Sequence, residues 1–311
     1  MAWMDNHNHT VLKEFILMGI TDRHELQAPL FVLFLIIYII SVVGILGMVI
    51  LTKMDSRLQT PMYFFLRHLA FIDLGYSTAV GPKMLVNFVV NQNTIPYNWC
   101  ATPLAFFILF IFSELFILSA MAYDRYVAIC NPLLYTVVMP QRVCWVLVAV
   151  SYVYSALISL ITTIKIFISS FCGYNVISHF YCDSLPLLTL LCSSTREIEL
   201  IILIFSAFNL VSSLLTVLVS YILILKAILR MNSAEGRHKA FSTCGSHLTV
   251  VVVLYVTLSF MYVQPKSSHS FDTDKMASVF YTLVIPMLNP MIYSLRNKEV
   301  KGALHRIWKN L

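Results

Sequence analysis

An uncharged apolar run from Leu30 to Leu51 is the feature that most restricts how this chain can fold, since it contains no Asp, Glu, Lys or Arg. Its length meets the roughly 20 residues that a helix needs to cross ~30 Å of hydrocarbon. Across the whole chain, hydrophobic residues make up 59% and charged residues only 12%. A soluble domain carries about twice that share of charge. The run therefore predicts a transmembrane helix.

The same pattern recurs along the chain and predicts seven spans. Their approximate bounds are 30–52, 60–84, 100–124, 142–164, 198–225, 240–263 and 275–295. Short polar or proline-containing links separate them, and no internal repeat or low-complexity tract interrupts the series. The sequence thus predicts an all-α membrane protein, a single seven-transmembrane domain over residues 1–311 with its termini on opposite sides.

The distribution of basic residues predicts the orientation of the spans. With the first terminus outside, thirteen Lys and Arg fall on the inner side and seven on the outer side, as the positive-inside rule requires. We therefore expect a multi-pass plasma-membrane protein with an extracellular segment 1–29, a long second outer loop 165–197 and a cytoplasmic tail 296–311. The net charge of +6 then indicates anionic lipid and an acidic cytosolic partner rather than nucleic acid.

The first 29 residues support this orientation. They are polar near the front, unlike a secretory signal peptide, so the first span is expected to serve as the membrane signal. The tripeptide Asn8-His9-Thr10 is an N-glycosylation acceptor that can be used only outside the cell or in the lumen. Asn8 is therefore the predicted glycosylation site.

The cysteines are distributed unevenly between the two sides. Cys100, Cys172, Cys182 and Cys192 lie on the predicted outer side, where the environment is oxidising. Four cysteines allow three pairings, and the sequence alone does not select one. Free buried thiols are the alternative interpretation.

Two acidic residues, Asp73 and Glu114, fall at positions where hydrocarbon is expected. An ionised side chain at that depth is costly and normally faces the bundle interior with a partner. Two neighbouring carboxylates need a proton or a cation between them. A hydrogen-bonded packing pair without an ion is the alternative.

Uncharged stripes at helical spacing are candidates for a ligand pocket. Such stripes are commonly bundle core, but their shared depth in the predicted outer half and their few polar groups among aromatics are typical of a site for small apolar ligands. A charged ligand would be buried there without a partner, so neutral, volatile, mostly apolar ligands are predicted. The candidate residues are Ile108, Ile111, Phe112, Phe205, Phe208, Asn209, Tyr255, Ser259 and Tyr262.

Five segments together resemble the diagnostic stretches of vertebrate odorant receptors, a family of rhodopsin-like G-protein-coupled receptors. The resemblance runs from about residue 10 to the end, with the segments in the same order and spacing. They are PMYFFLRHLAFIDLGYS (61–77), MAYDRYVAICNPLLY (121–135), SYILILKAILRM (220–231), KAFSTCGSHLTVV (239–251) and PMLNPMIYSLRN (286–297).

This resemblance implies a rhodopsin-like bundle with a short amphipathic C-terminal helix. It also implies that odorant binding near the outer side activates a heterotrimeric stimulatory G protein and raises cyclic AMP. The implied disulfides are Cys100–Cys182 and Cys172–Cys192, and the aromatic beneath the odorant pocket is Tyr255. Asp73 and Glu114 match an acidic pair associated with a sodium ion, the one cofactor implied.

The resemblance further assigns residues to activation and G-protein coupling. One group matches the DRY motif, whose arginine switches between an inactive ionic contact and the G-protein interface. Another matches the NPxxY motif, in which the proline removes a backbone donor and leaves a kink that can move. The residues are Asp124, Arg125, Tyr126, Tyr221, Asn289, Pro290 and Tyr293.

Two positions depart from the family pattern. Gly44 is followed by Ile45 where the family usually has asparagine, so a polar link from the first span to Asp73 is expected to be lost. Val256 follows Tyr255 where the family usually has glycine. Each change is a candidate cause of lower stability, signalling or surface expression.

Other classes of function lack their residues in this sequence. A retinal protein needs a lysine in the seventh span, and none lies between Met276 and Leu295. A transporter or channel would show repeated halves or several polar groups lining a path. No nucleophile elbow, phosphate loop or HExxH motif supports an enzyme.

Overall fold

The fold is known from a computed structural model that describes residues 14–21, 23–90, 93–172, 175–263, 271–296 and 298–310. Long helices occupy all seven predicted spans. The helices are α1 His24–Met54, α2 Pro61–Val89, α3 Tyr97–Cys130, α4 Tyr135–Val138, α5 Gln141–Ile168, α6 Ser184–Leu188, α7 Arg196–Leu229, α8 Ala234–Val263, α9 Phe271–Val279, α10 Ile285–Arg296 and α11 Lys298–Asn310.

The seventh span consists of three consecutive segments. A five-residue π-helix, Phe280–Val284, joins α9 to α10, and together they form one continuous helical element. Within the described ranges, five helical elements satisfy length and composition criteria for crossing a membrane, namely α1, α3, α5, α7 and the stretch Lys275–Tyr293 of this seventh span. Helix α2 carries Arg67 and Asp73, and α8 has a shorter apolar stretch, Cys244–Leu258. Both nevertheless pack within the same bundle.

Proline residues begin several of these elements. Pro61 stands in the first turn of α2 and Pro140 directly precedes α5, positions at which a missing N–H costs no helical hydrogen bond. Helix α3 is central and packs against α2, α5 and α7, while α1 packs against α2 and α10. The largest apolar cluster lies along α2 and α3, and a second surrounds Cys100 and Cys182.

A three-stranded sheet forms at one end of the bundle, which the sequence interpretation did not predict. Strand β1, Glu14–Leu17, pairs antiparallel with β2, Asn93–Pro96, and parallel with β3, Val176–Ile177. We call this the sheet end. The opposite end, which carries α4 and α11, is called the α11 end.

The C-terminal helix α11 packs against the first helix and the end of the seventh span. It contacts α1 and α10, and Val300 and Ala303 are buried on its inner face. The Arg306 guanidinium donates to Asp55 Oδ2 from Nε at 3.2 Å and from Nη2 at 2.5 Å. This ion pair holds the pKa of the Asp55 carboxyl below its ordinary value. It ties α11 to the turn between α1 and α2.

Candidate functional site

The candidate ligand residues on α3 line the bundle interior. Ile108 and Ile111 are each 7% exposed, and Phe112 is half-buried between the two main apolar clusters. Tyr255 of α8 is also buried, and its hydroxyl donates to Ser213 Oγ at 2.6 Å. These side chains surround an apolar interior with a phenol at its border.

Asn209 is the inward polar residue of α7 at this depth. It is 1% exposed, and its amide Nδ2 donates to the Phe112 carbonyl of α3 at 3.3 Å. Its Oδ1 is buried without a hydrogen-bond partner among the described residues. An unpaired buried acceptor is costly, so Asn209 presents a polar atom that a ligand hydroxyl can satisfy.

The prediction that Phe208 faces the interior is wrong. Phe208 is 58% exposed on the outer side of α7, and its ring lies 5.9 Å from that of Tyr154. Phe205 is half-buried beside the same tyrosine, at 6.4 Å between ring centroids. The side chains of Ser259 and Tyr262 lie outside the described part of the chain.

The inward face of α7 continues from Asn209, which the sequence interpretation selected, through Ser213, Val217 and Ser220, which it did not. These four residues are buried at intervals of three or four residues. Ser119 of α3 donates from its hydroxyl to the Ser213 carbonyl at 3.3 Å. The recurrence of small polar residues at helical spacing was the available signal for this face, because small and hydroxyl residues are enriched where membrane helices pack.

The two buried acids occupy separate but adjacent hydrogen-bonding groups. Asp73 and Glu114 are each 1% exposed. Both oxygens of Asp73 accept from the Asn289 amide, at 3.1 and 3.0 Å. Glu114 Oε2 accepts from the hydroxyls of Tyr76 at 3.2 Å and Tyr281 at 2.9 Å. The structure thereby links α2, α3 and the seventh span at mid-bundle.

Tyr76 and Tyr281 are site residues that sequence reasoning missed. Their hydroxyls also contact each other, and their rings meet edge to face at 5.2 Å. Tyr281 lies in the π-helix, and a π-turn inserts an extra residue and changes the direction of the side chains. Glu114 Oε1 and Ser77 Oγ, one helical turn from Asp73, are buried without hydrogen-bond partners in the described residues.

The candidate activation residues gather at the α11 end. Asp124 accepts from the Tyr135 hydroxyl at 2.8 Å, while Nε of the neighbouring Arg125 is buried without a partner in the described chain. Tyr221 of α7 meets His247 of α8, with 2.6 Å between hydroxyl and Nδ1 and the rings stacked.

The remaining residues assigned to activation lie on α3 and α10. Tyr126 is half-buried, with its ring centroid 6.1 Å from that of Tyr123. Pro290 lies inside α10, and Tyr293 is 2% exposed, one turn further along the same helix. Helix α10 therefore contains the proline of the motif and buries its tyrosine against the bundle.

Disulfides fix the long loop at the sheet end. They join Cys100 to Cys182 and Cys172 to Cys192, with Cα–Cα distances of 5.7 and 4.9 Å, the pairing that the resemblance implied. The proposed glycosylation site Asn8 lies outside the described residues.

His179 attaches this loop to the seventh span. Its Nε2 lies 3.2 Å from Ser278 Oγ, and the ring is 4% exposed. Lys275, 7% exposed, donates to the Gly19 carbonyl at 3.0 Å. Burial lowers the pKa of His179 to about 3, and the nearby Lys275 ammonium adds to this effect.

The two departures from the family pattern lie in different surroundings. Ile45 is fully buried, and a Cβ on its neighbour Gly44 would lie 3.4 Å from Pro290 Cβ, so this part of α1 packs closely on α10. The branched side chain of Val256 is 63% exposed on the outer face of α8. It therefore does not crowd the interior.

The fold is that of a rhodopsin-like seven-transmembrane bundle. The crystal structure of squid rhodopsin is similar to this chain with a TM-score of 0.69, covering 92% of this chain and 86% of the rhodopsin at 17% identity. A family model described as olfactory receptor matches residues 34–310.

Curated relatives agree with that family model. Human olfactory receptor 8K3 is 77% identical, covering 99% of this chain and 98% of the relative, and human olfactory receptor 8K1 is 69% identical over 98% and 96%. The chain belongs to the olfactory receptor family. It is a non-enzymatic, multi-pass receptor of the plasma membrane, which confirms the family and fold predicted from sequence. An odorant ligand and a G protein are its partners in general terms.

Proposed function

We propose that this receptor binds small, neutral, mostly apolar odorants between α3, α7 and α8 in the half of the bundle nearer the sheet end. The observation that carries the proposal is the buried, unpaired Oδ1 of Asn209 beside the Tyr255–Ser213 hydrogen bond, within otherwise apolar walls. Apolar burial supplies about 25 cal/mol per Å² and one or two hydrogen bonds orient the ligand. For so small a ligand this predicts micromolar or weaker affinity.

The sheet end is proposed to face outward and the α11 end inward. The excess of Lys and Arg on the side of Arg125 and α11 supports this orientation, as do disulfides confined to the sheet end. Residues 1–29 and 165–197 are then extracellular and 296–311 cytoplasmic, with Asn8 glycosylated. Odorant binding would release Arg125 and Tyr293 at the α11 end to admit a stimulatory G protein, which raises cyclic AMP.

A sodium ion near Asp73 and Glu114 is proposed as an allosteric modulator. The orphaned oxygens Glu114 Oε1 and Ser77 Oγ support the fit, because buried acceptors without donors are suited to a hard cation. The single positive charge of the ion would offset one unit of the negative charge carried by the two acids. Sodium should then raise the apparent melting temperature (Tm) more than N-methylglucamine does, and Glu114→Gln should remove the difference. Equal Tm values in both salts would contradict a cation site.

The ligand proposal is tested by dose-response curves with a cyclic-AMP readout. A series of alcohols and ketones should contain the potent agonists, and the matching amines and carboxylates should be weak, because the described residues proposed to line the pocket carry no formal charge that could pair with an ionised ligand. Potent activation by the ionised compounds would refute the pocket.

A pair of neighbouring variants locates the site. Asn209→Ala should lower the potency of oxygen-bearing agonists about two- to tenfold, the loss of one hydrogen bond. Phe208→Ala, on the outer face, should leave potency unchanged at equal surface expression. Ser259→Ala and Tyr262→Phe extend the test along α8. Parental responses from Asn209→Ala and from both α8 variants would contradict the assignment.

A further inference from the structure

A cleft opens on the lipid-facing surface of the bundle between α3 and α7, in the half nearer the α11 end. Its volume is about 350 Å³, at the lower end of the range for small-ligand sites. None of the candidate odorant residues lines it. The described residues used in the argument are Tyr123, Tyr126, Leu215, Thr216, Val219 and Ser220.

The walls of the cleft are apolar and uncharged. Leu215 and Val219 of α7 are 55% and 54% exposed, and they stand one helical turn apart, so they form a continuous edge on the surface that faces lipid. Tyr123 and Tyr126 of α3 form the opposite wall, with 6.1 Å between ring centroids. The described lining residues carry no formal charge, so a lipid phosphate or carboxylate would have no charge partner among them. The cleft therefore suits an uncharged molecule from the membrane.

The cleft also contains hydroxyls that are not used within the described chain. Ser220 is 4% exposed, and its hydroxyl forms no hydrogen bond with a described residue. By contrast, Thr216 lies one turn earlier in the same wall and donates to the Ser212 carbonyl at 2.9 Å, the bond that hydroxyl side chains commonly make within their own helix. The half-buried phenol of Tyr126 also lacks a hydrogen-bond partner among the described residues. Because an unpaired polar group is costly away from water, Ser220 and Tyr126 are suited to bind a hydroxyl of the occupant.

We propose that this cleft binds a membrane sterol, whose single hydroxyl forms hydrogen bonds with Ser220 and Tyr126. The rings of the sterol lie along Leu215 and Val219. Tyr126 stands one turn before Cys130, the last residue of α3, so the hydroxyl lies toward the α11 end and the rings extend toward mid-bundle, as in a sterol held within one leaflet. A rigid ring system loses less conformational entropy on binding than a flexible acyl chain does. With the orientation proposed above, the site lies in the cytoplasmic leaflet of the sterol-rich plasma membrane.

The test uses the purified full-length receptor in phosphatidylcholine nanodiscs, with cholesterol as the probe. Cholesterol should raise the apparent Tm in a saturable manner by binding the folded state. Epicholesterol, whose hydroxyl points to the other face of the ring, should do so less. Ser220→Ala should raise the half-saturating cholesterol fraction about two- to tenfold, as expected for the loss of one hydrogen bond. Thr216→Val is the matched control, because it removes a hydroxyl that is already bonded to its own helix, and it should leave that fraction unchanged.

Two tryptophan variants distinguish binding in the cleft from a general effect of cholesterol on the bilayer, and they keep the test decisive if Ser220→Ala fails to fold. Val219 and Val211 are each 54% exposed on α7, and of the two only Val219 lines the cleft. Val219→Trp should fill the cleft and abolish the saturable stabilisation, whereas Val211→Trp should keep it. Asn209→Ala should leave cholesterol binding unaltered, so this proposal and the odorant pocket fail independently. Equal stabilisation of the two tryptophan variants, equal action of the two epimers, or stabilisation by phosphatidylglycerol but not cholesterol would overturn the proposal.

Discussion

Replacement of Gly75 by alanine should destabilise the contact between α2 and α3. A Cβ at this position would lie 2.2 Å from Phe110 Cε2, and favourable carbon contacts begin near ~3.5 Å, so the ring must move by about 1.3 Å. Phe110 is 6% exposed, and rings of Phe71, Tyr76 and Phe106 lie within 6.0 Å of it. Since the ring is enclosed on several sides, we expect Gly75→Ala to cost about 1–3 kcal/mol, the usual range for overpacking.

The assay is the apparent Tm of purified receptor in one detergent, together with surface expression measured by antibody labelling. Gly245→Ala is the matched control, because a Cβ there meets nothing within 4 Å, and it reports the helix-propensity gain of up to about 1 kcal/mol on its own. Gly75→Ala should melt several degrees below Gly245→Ala, and adding Phe110→Leu should recover part of the loss. Equal melting of the two glycine variants would refute the steric argument.

Two other predictions concern a titratable group and a buried hydroxyl. The folded receptor keeps His179 neutral because its pKa is lowered to about 3, whereas the unfolded chain takes up a proton below pH ~6.5. Stability contributed by this residue should therefore fall as pH drops from about 6.5, by at most about 1.4 kcal/mol per unit, and the Tm difference between pH 7 and 5 should be smaller in His179→Gln than in the parent. Tyr281→Phe removes a donor from buried Glu114 and should cost about 1–3 kcal/mol, while the exposed control Tyr123→Phe should melt like the parent. An unchanged pH difference, or equal Tm values for the two phenylalanine variants, would contradict these assignments.

The helices could be predicted from sequence because crossing hydrocarbon requires about 20 apolar residues, a local property of each span. Their ends could not be predicted to the residue. Helix α1 begins at His24 rather than near residue 30, because its first turns are polar and carry no hydropathy signal. The sheet was missed for a different reason. Strand β1 pairs with segments distant in the chain, and such register is not visible in a local pattern.

The inward faces of the helices were harder to predict than the helices themselves. In a water-soluble protein, apolar residues mark the buried face of a helix. Lipid is as apolar as leucine, so apolar residues occur on both the lipid-facing and the inward face of a membrane helix. Phe208 and Asn209 are adjacent in sequence, yet only Asn209 turns inward. Buried acids could be identified because charge is costly in lipid. The phenol groups that donate to Glu114 could not be identified. The direction of the Tyr281 side chain depends on the π-turn, which has no simple sequence signature.

Helix α8 is joined to α7 by hydrogen bonds at two depths, and this arrangement bears on how the two ends communicate. Near the proposed pocket, Tyr255 donates to Ser213, and closer to the α11 end His247 meets Tyr221. Because lipid provides no hydrophobic driving force for helices to associate, hydrogen bonds of this kind and close packing determine which helices move together. A ligand that forms a hydrogen bond with Asn209 and displaces the Tyr255 hydroxyl would weaken the Tyr255–Ser213 bond. The His247–Tyr221 contact would stay intact. Rotation of α8 about the His247–Tyr221 contact would then change the surroundings of Arg125, which is nearby and partly buried.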